Sequence, residues 1–359
     1  MMKISFIAPF SLRSHVEDQQ RLDNLTKESA NYKSLNLYVE RSQHELITPS
    51  SVQLTNNAVG IEKYNSATQH QECYSPGQSR NTAVLKSTDE YIFFIDIDLL
   101  YNSFFISELI NSANKITSIG ASCFEMYPCL YLTKEETERF DGDFQGCLES
   151  FLRGENHRVE GIALASSCLL LNREWFLQLG GFDEQFVGHG GEDLELIDRL
   201  TRHYPIGPRP ADYGLNIKAQ HPGDYQGFRR YFSYYALPHL FAGRFLVHQW
   251  HPRPLTHPYH KRRAGNDQLL EQMLARTETE RAPLKGPVVP CNDLNGELPE
   301  FREWMIRLQE EAGYPVNEYP GLLRWKDGIK PKRPLWRKLR KLYLNPRAFF
   351  RDMFKPASL

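Results

Sequence analysis

Tyr91-Ile92-Phe93-Phe94-Ile95-Asp96-Ile97-Asp98 is the stretch that decides the fold. Five consecutive aromatic or β-branched residues, with no polar residue alternating among them, describe a strand buried on both faces, and the acids mark where the chain emerges. Ser75-Pro76-Gly77 is a turn signal that introduces a helix over Gln78 to Lys86 just before this strand. After it the pattern predicts a helix over Ser103 to Lys115, a strand around Ile119 to Phe124, a helical stretch from Lys134 and a buried strand over Gly161 to Leu171. Before it come a strand over Lys3 to Pro9, a helix over Val16 to Tyr32, and weaker strands near Leu35 to Glu40 and Val59 to Lys63. Strands that alternate with helices predict an α/β fold whose mostly parallel sheet is covered on both faces.

The chain has 359 residues, 41% hydrophobic and 24% charged. That is long enough to bury a sizeable core and too apolar for a disordered chain. The six cysteines (Cys73, Cys123, Cys129, Cys147, Cys168, Cys291) show no CxxC spacing, which predicts a reduced, cytoplasmic setting. The start, MMKISFIAPF, lacks the basic leader, long apolar stretch and cleavage site of an exported chain, and no run is long enough to span a membrane. Beyond about Asp267 the character changes: a helix over Gln268 to Arg276, a Pro-rich connection, then a helix over Pro299 to Ala312 with Phe301, Trp304, Met305 and Leu308 inward. The expected division is a catalytic body over 1–267, a helical extension over 268–328 and a basic tail over 329–359. From Lys330 to Leu359 ten Lys or Arg face one acid, so the tail carries +9 and the rest −10 within a net charge of −1. An acidic body argues against a nucleic-acid surface and directs any anionic partner to the tail.

Three motifs can carry chemistry. Asp96 and Asp98, at i and i+2 of a strand end, are expected to face one crevice at the carboxyl edge of the sheet, where Mg²⁺ or Mn²⁺ could bridge a diphosphate. A solvated strand end gives the same pattern. A phosphatase-type nucleophile is discounted because Leu100 stands where that chemistry wants Thr or Val. The second motif is GGFDEQFVGHGGED, Gly180 to Asp193, whose glycines allow close backbone approach and whose Glu192 and Asp193 open a helix over Glu192 to Thr201. Acids in a first helical turn often only complement the helix dipole. As a general base, Asp193 would take the proton of an acceptor hydroxyl; the helix start lowers its pKa and the adjacent Glu192 raises it, and the sequence leaves open which prevails. The third motif is His248-Gln249-Trp250-His251, followed by a Pro- and His-rich loop and Lys261-Arg262-Arg263. A histidine joined to carboxylates favours Mn²⁺ over Mg²⁺. His257 and His260 are read as ordinary structural or surface residues.

These signals, in this order, resemble the metal-dependent glycosyltransferases of the GT-A fold, between the family-2 group and the family-7 galactosyltransferases, over residues 3 to 265. Ile7 to Arg13 (IAPFSLR) is similar to the family's nucleotide-contacting strand and loop, and Ser79-Arg80-Asn81 to its RN helix start. The resemblance implies that Pro9, Phe10 and Arg13 border the nucleoside and that Arg80 approaches the nucleotide or diphosphate. It places Asp96 and Asp98 at the metal and ribose, with His251, or His248 three positions earlier, completing the shell. It makes Glu192 a holder of donor or acceptor sugar and Asp193 the base of an inverting transfer, with Pro252 to Asn266 a loop closing over the donor. The implied donor is a nucleotide sugar, a UDP-sugar first. A retaining enzyme of the same fold, or an inactive glycan-binding scaffold, are the alternatives. The galactosyltransferases usually carry Trp where His189 stands, which leaves the sugar identities open.

In the tail, Leu335, Trp336, Leu339, Leu342 and Tyr343 recur at helical spacing among basic residues, and Asn345-Pro346 opens a second short helix with Phe349, Phe350, Met353 and Phe354. Such a segment fits an anionic membrane surface, or a helix docked on the body. It resembles tails of bacterial capsule-synthesis glycosyltransferases, which implies a cytoplasmic protein held at the inner face of the membrane and a polysaccharide or lipid-linked glycan as acceptor.

Overall fold

The computed structural model describes residues 2–10, 15–41, 74–217, 219–253, 258–277, 279–294 and 296–326, with positions 339, 342, 343, 346, 349 and 350 of the tail. Strand β1 (Ile4–Phe10) is buried along its whole length and pairs in parallel with β2 (Leu35–Arg41) after helix α1 (His15–Ala30). Two polar positions of these strands share a partner: Ser5 and Asn36 both donate to Asp89, at 2.7 and 2.8 Å. Helix α2 (Pro76–Lys86) begins as its turn signal predicts, with Pro76 in its first turn and the Ser75 hydroxyl accepting from the Gln78 amide. Strand β3 (Tyr91–Phe94) then lies parallel to β1, every residue buried. The predicted strand over Val59 to Lys63 lies outside the described residues.

Beyond β3 the chain builds two sheets. Strand β4 (Leu99–Leu100) leads to helix α3 (Ser103–Ile119), which absorbs Ile119, so the predicted strand there starts later, as β5 (Phe124–Met126). Strand β6 (Cys129–Leu132), helices α4 (Lys134–Arg139) and α5 (Phe144–Leu152), and strand β7 (Val159–Ala163) follow. Strand β8 (Leu169–Asn172), helices α6 (Arg173–Gln178), α7 (Glu192–His203) and α8 (Gly227–Phe241), and strand β9 (Leu246–His248) complete the framework. One sheet runs β2-β1-β3-β8-β5, with β8 reversed; the other runs β4-β9-β6-β7. Phe93 of β3, Phe105 of α3 and Tyr127, which follows β5, pack ring on ring with centroids 5.1 to 5.9 Å apart.

The run Gly161 to Leu171, predicted as one strand, is two. Its halves belong to different sheets, because Ser166 and Ser167 interrupt the ladder: the Ser166 hydroxyl donates to the Tyr127 carbonyl at 2.7 Å and accepts from the Cys168 amide. The break carries Ser167 to the end of β3.

Helix α9 (Pro258–Lys261) and helix α10 (Arg263–Leu274) lead out of this framework, and helix α11 (Phe301–Glu311) packs on α8. Phe301, Trp304 and Met305 are buried as predicted, Leu308 only in part, and Tyr234 of α8 receives the Trp304 ring at 4.8 Å. Asp198 of α7 ties the following segment down through Arg281, and Trp325 packs edge-on to Phe151. No helix among the described residues is long and apolar enough to cross a membrane.

Candidate active site

A cavity of about 450 Å³ opens where β1, the end of β3, the broken β7–β8 segment and the start of α7 converge. Pro9, Arg80, Asp96, Asp98, Glu192, Asp193, His248 and His251 all line it. Phe10 is buried in the core, and Arg13 lies outside the described residues.

The two acids of the DxD do not ride on a strand as predicted. Strand pairing ends at Phe94, with one more bond from the Ile95 amide to the Ile7 carbonyl, and the chain then turns, the Leu99 amide donating to the Asp96 carbonyl at 3.1 Å. A turn lets the side chains part. Asp96 accepts from Arg80 at 2.7 Å and from the Ser167 hydroxyl at 3.4 Å, whereas Asp98 turns to the histidines. Its Oδ2 lies 3.4 Å from His248 Nε2 and 3.3 Å from His251 Nε2.

Backbone pairing sets that group. In the β4–β9 ladder Leu99 faces His248, and the Gln249 amide donates to the Asp98 carbonyl at 2.8 Å. His251 Nδ1 sits 3.1 Å from the Pro252 carbonyl, a bond that puts the proton on Nδ1 and leaves the Nε2 lone pair on the Asp98 side. The ligand atoms of Asp98, His248 and His251 all lie within 4.8 Å of one another. A carboxylate with two imidazoles is a donor set for Mn²⁺ and its neighbours in the first transition row, provided the imidazoles are neutral. His248 meets that condition: burial above all, with help from Arg253 and His251, pushes it down to about 4 against the pull of Asp98. The residues fit a divalent metal. Both histidines named as alternatives are in the group, while Asp96 stands apart, engaged by Arg80.

Arg80 holds the other half of the site. It is 3% exposed and bridges Asp96 at 2.7 Å to Glu192 Oε1 at 3.3 Å. Burial opposes its charge, but the two acids together raise its pKa. Glu192 is pushed up to about 7 by burial and then by the adjacent Asp193, Arg80 opposing. Asp193 accepts the Leu194 amide at 2.9 Å and is partly exposed to the cavity. The glycines before α7 make this start possible. Gly190 and Gly191 have φ of 81° and 108°, and a Cβ would strike Arg263 at the first and the Phe186 ring, 2.6 Å away, at the second.

Asn81, next to Arg80, was expected only as part of a helix start, and it is the clamp of the whole segment. Its amide accepts from the Phe182 amide at 2.8 Å and donates to the Phe182 carbonyl at 3.0 Å. Downstream residues hold the other end, the Asn266 amide donating to the Val187 and His189 carbonyls and the His189 amide to the Tyr259 carbonyl. His260, read as structural or surface, is 4% exposed and lines the cavity beside His189, ring centroids 5.4 Å apart. Tyr131 of β6, Arg229 of α8 and Tyr225, in the loop before α8, also line the cavity without any sign in the sequence, because only the fold brings them there.

Comparison with known proteins adds the following. No curated protein matches the chain by sequence. Two crystal structures of Drosophila beta1,4galactosyltransferase 7, one with xylobiose and one of a mutant with manganese, UDP-Gal and xylobiose, share 17% and 18% identity at TM-scores of 0.26 and 0.27, over 55% of this chain and 60% of theirs. The mannosyltransferase PcManGT from Pyrobaculum calidifontis, in complex with GDP-Man and Mn²⁺, shares 15% at 0.26, over 53% of this chain and 49% of its own. S. aureus TarS shares 15% at 0.27, over 98% and 88%. The chain thus spans about 60% of the galactosyltransferase chains it matches. The family model described as "Glycosyltransferase like family 2" matches residues 40–275, from β2 through the DxD turn, α7 and the His248–His251 group. The chain belongs to that glycosyltransferase-like family 2.

Proposed function

We propose that the chain transfers a sugar from a nucleotide diphosphate sugar, a UDP-sugar first among candidates, to a hydroxyl of a glycan acceptor with inversion at the anomeric carbon. The observation that supports this is that the Asp98–His248–His251 group and the Glu192–Asp193 pair line one cavity, in a chain of this family. Asp98, His248 and His251 would hold a manganese or magnesium ion, which supplies charge neutralisation for the leaving nucleoside diphosphate. Pro9, which lines the cavity, borders the nucleoside. Arg80 keeps Asp96 and Glu192 in place and adds positive charge near the diphosphate. Asp193 takes the proton of the acceptor hydroxyl as its oxygen bonds to the anomeric carbon, and the carbon–oxygen bond to the diphosphate breaks with its electron pair leaving on the nucleotide. Glu192 orients the sugar from the buried side.

Residues 1–267 form the catalytic body in this proposal and 268–328 buttress it through α11. The tail over 329–359 holds the protein at an anionic membrane face, where a polysaccharide or lipid-linked glycan is extended. Its basic, aromatic composition supports that role, as do Leu339 and Tyr343, 47% and 87% exposed. The test is release of nucleotide from UDP-, GDP- and CMP-sugars with Mn²⁺ or with chelator. Mn²⁺-dependent hydrolysis of one donor is expected; no release and no binding of any donor would leave a glycan-binding scaffold in its place.

A further inference from the structure

The acids and cations of the cavity are not evenly matched. Arg80 is neutralised by two carboxylates, and Arg263 by Asp267 at 3.0 Å. Arg229 of α8 lines the same cavity with a different set of partners. Its Nη2 donates to the neutral amide oxygen of Asn216 at 3.1 Å, its guanidinium lies over the Phe228 ring, and its Nε is buried without a hydrogen-bond partner. No carboxylate among the described residues pairs with it. The next residue, Arg230, has one, Asp212 at 2.6 Å, so the same helix supplies a counter-charge where the fold needs it.

A desolvated guanidinium without a counter-ion is costly, and both burial and the proximity of Arg263 disfavour its charge. Its other charged neighbours are Asp267 and Asp193, while the charged group beside the Asp98–His248–His251 cluster is Arg253. Arg229 therefore belongs to the Asp193 end of the cavity, away from the expected diphosphate. A planar guanidinium fork suits the paired oxygens of a carboxylate or phosphate.

The geometry points to Arg229 as the seat of an anion subsite, so that the acceptor glycan carries a carboxylate or phosphate beside the hydroxyl that attacks. This rests on the assignment of the Asp193 end to the acceptor. The experiment is calorimetry on the full chain with UDP and Mn²⁺, titrating methyl glucuronide, its neutral methyl ester and glucose 6-phosphate. One of the two acids should bind at least tenfold more tightly than the ester, and which one does so separates carboxylate from phosphate. Arg229→Gln should erase that preference, and Arg229→Lys should keep part of it. Equal binding of acid and ester by the unaltered chain overturns the inference, as does a preference that survives in Arg229→Gln. Loss of UDP affinity in Arg229→Gln would assign the guanidinium to the donor, and a loss confined to UDP-glucuronate against UDP-glucose would put the charge on the transferred sugar; either result also overturns it. Absence of UDP binding by the unaltered chain sinks the proposed function instead, while the acid-against-ester comparison without nucleotide still tests Arg229.

Discussion

The cavity holds two acid pairs, and they are built alike from unlike elements. Asp96 and Asp98 sit in a turn after a buried strand; Glu192 and Asp193 open a helix. In each pair one member goes to Arg80 and the other does not. Asp98 is left to the histidines and Asp193 to the cavity. A single buried cation thus sorts four carboxylates into two that fix the frame and two available for chemistry. This is a division of labour that neither pair encodes alone.

The comparison can be broken most severely at Asp98. Asp98→Ala is expected to lower transfer by about a thousandfold or more, because the proposed metal site would lose its one carboxylate among the described residues; electron paramagnetic resonance of added Mn²⁺ should show the bound ion gone. Asp193→Asn, on the other pair, should cost about a hundred- to thousandfold in kcat with Mn²⁺-dependent UDP binding retained. Transfer at a near-normal rate by that variant would remove Asp193 from the base role. If the two frame acids depend on Arg80, then Arg80→Met leaves two carboxylates without their counter-charge and should destabilise the fold by about 3 kcal/mol or more in urea titration.

A subtler test sharpens the asymmetry within the helix pair. Glu192 has a pKa of about 7 in the folded chain, well above its ordinary value, so the folded state holds this proton more tightly than the unfolded one. The associated stability is fully present below about pH 4.5 and is lost as pH rises through 7, an effect on the order of 2 to 3 kcal/mol. Glu192→Gln should flatten that slope between pH 5 and 8; an unchanged slope would mean that other groups carry it. The smallest effect is expected at the clamp. Asn81→Ala leaves the Phe182 backbone groups without their side-chain partner and should cost about 1 to 2 kcal/mol.

What the sequence disclosed depended on whether periodicity survives burial. The β1 and β3 runs and the amphipathic α7 and α11 stood out because one physical pattern ran unbroken through each. Helix α8 did not, since it is buried on nearly all sides and contains Pro238, so it has no polar stripe to reveal it. The apolar run at Gly161 to Leu171 misled for the opposite reason: its composition is that of one strand, and only the bonds made by Ser166 divide it between sheets. The acid pairs and His248–His251 were legible as residue types at suggestive spacing. Their pairing through Arg80 was not, because 16 residues separate Arg80 from Asp96 and 112 separate it from Glu192. Arg229 and His260 lacked any local signal.

The shared guanidinium also constrains how such a site can change over generations. Replacing Asp96 alone or Glu192 alone leaves Arg80 half-matched, and replacing Arg80 alone leaves two acids without the cation between them. Each step alters the consequence of the next, so the effects cannot add. A recombined library of the three positions should yield survivors in which they vary as a block, while Asp98 and Asp193 answer to a separate selection.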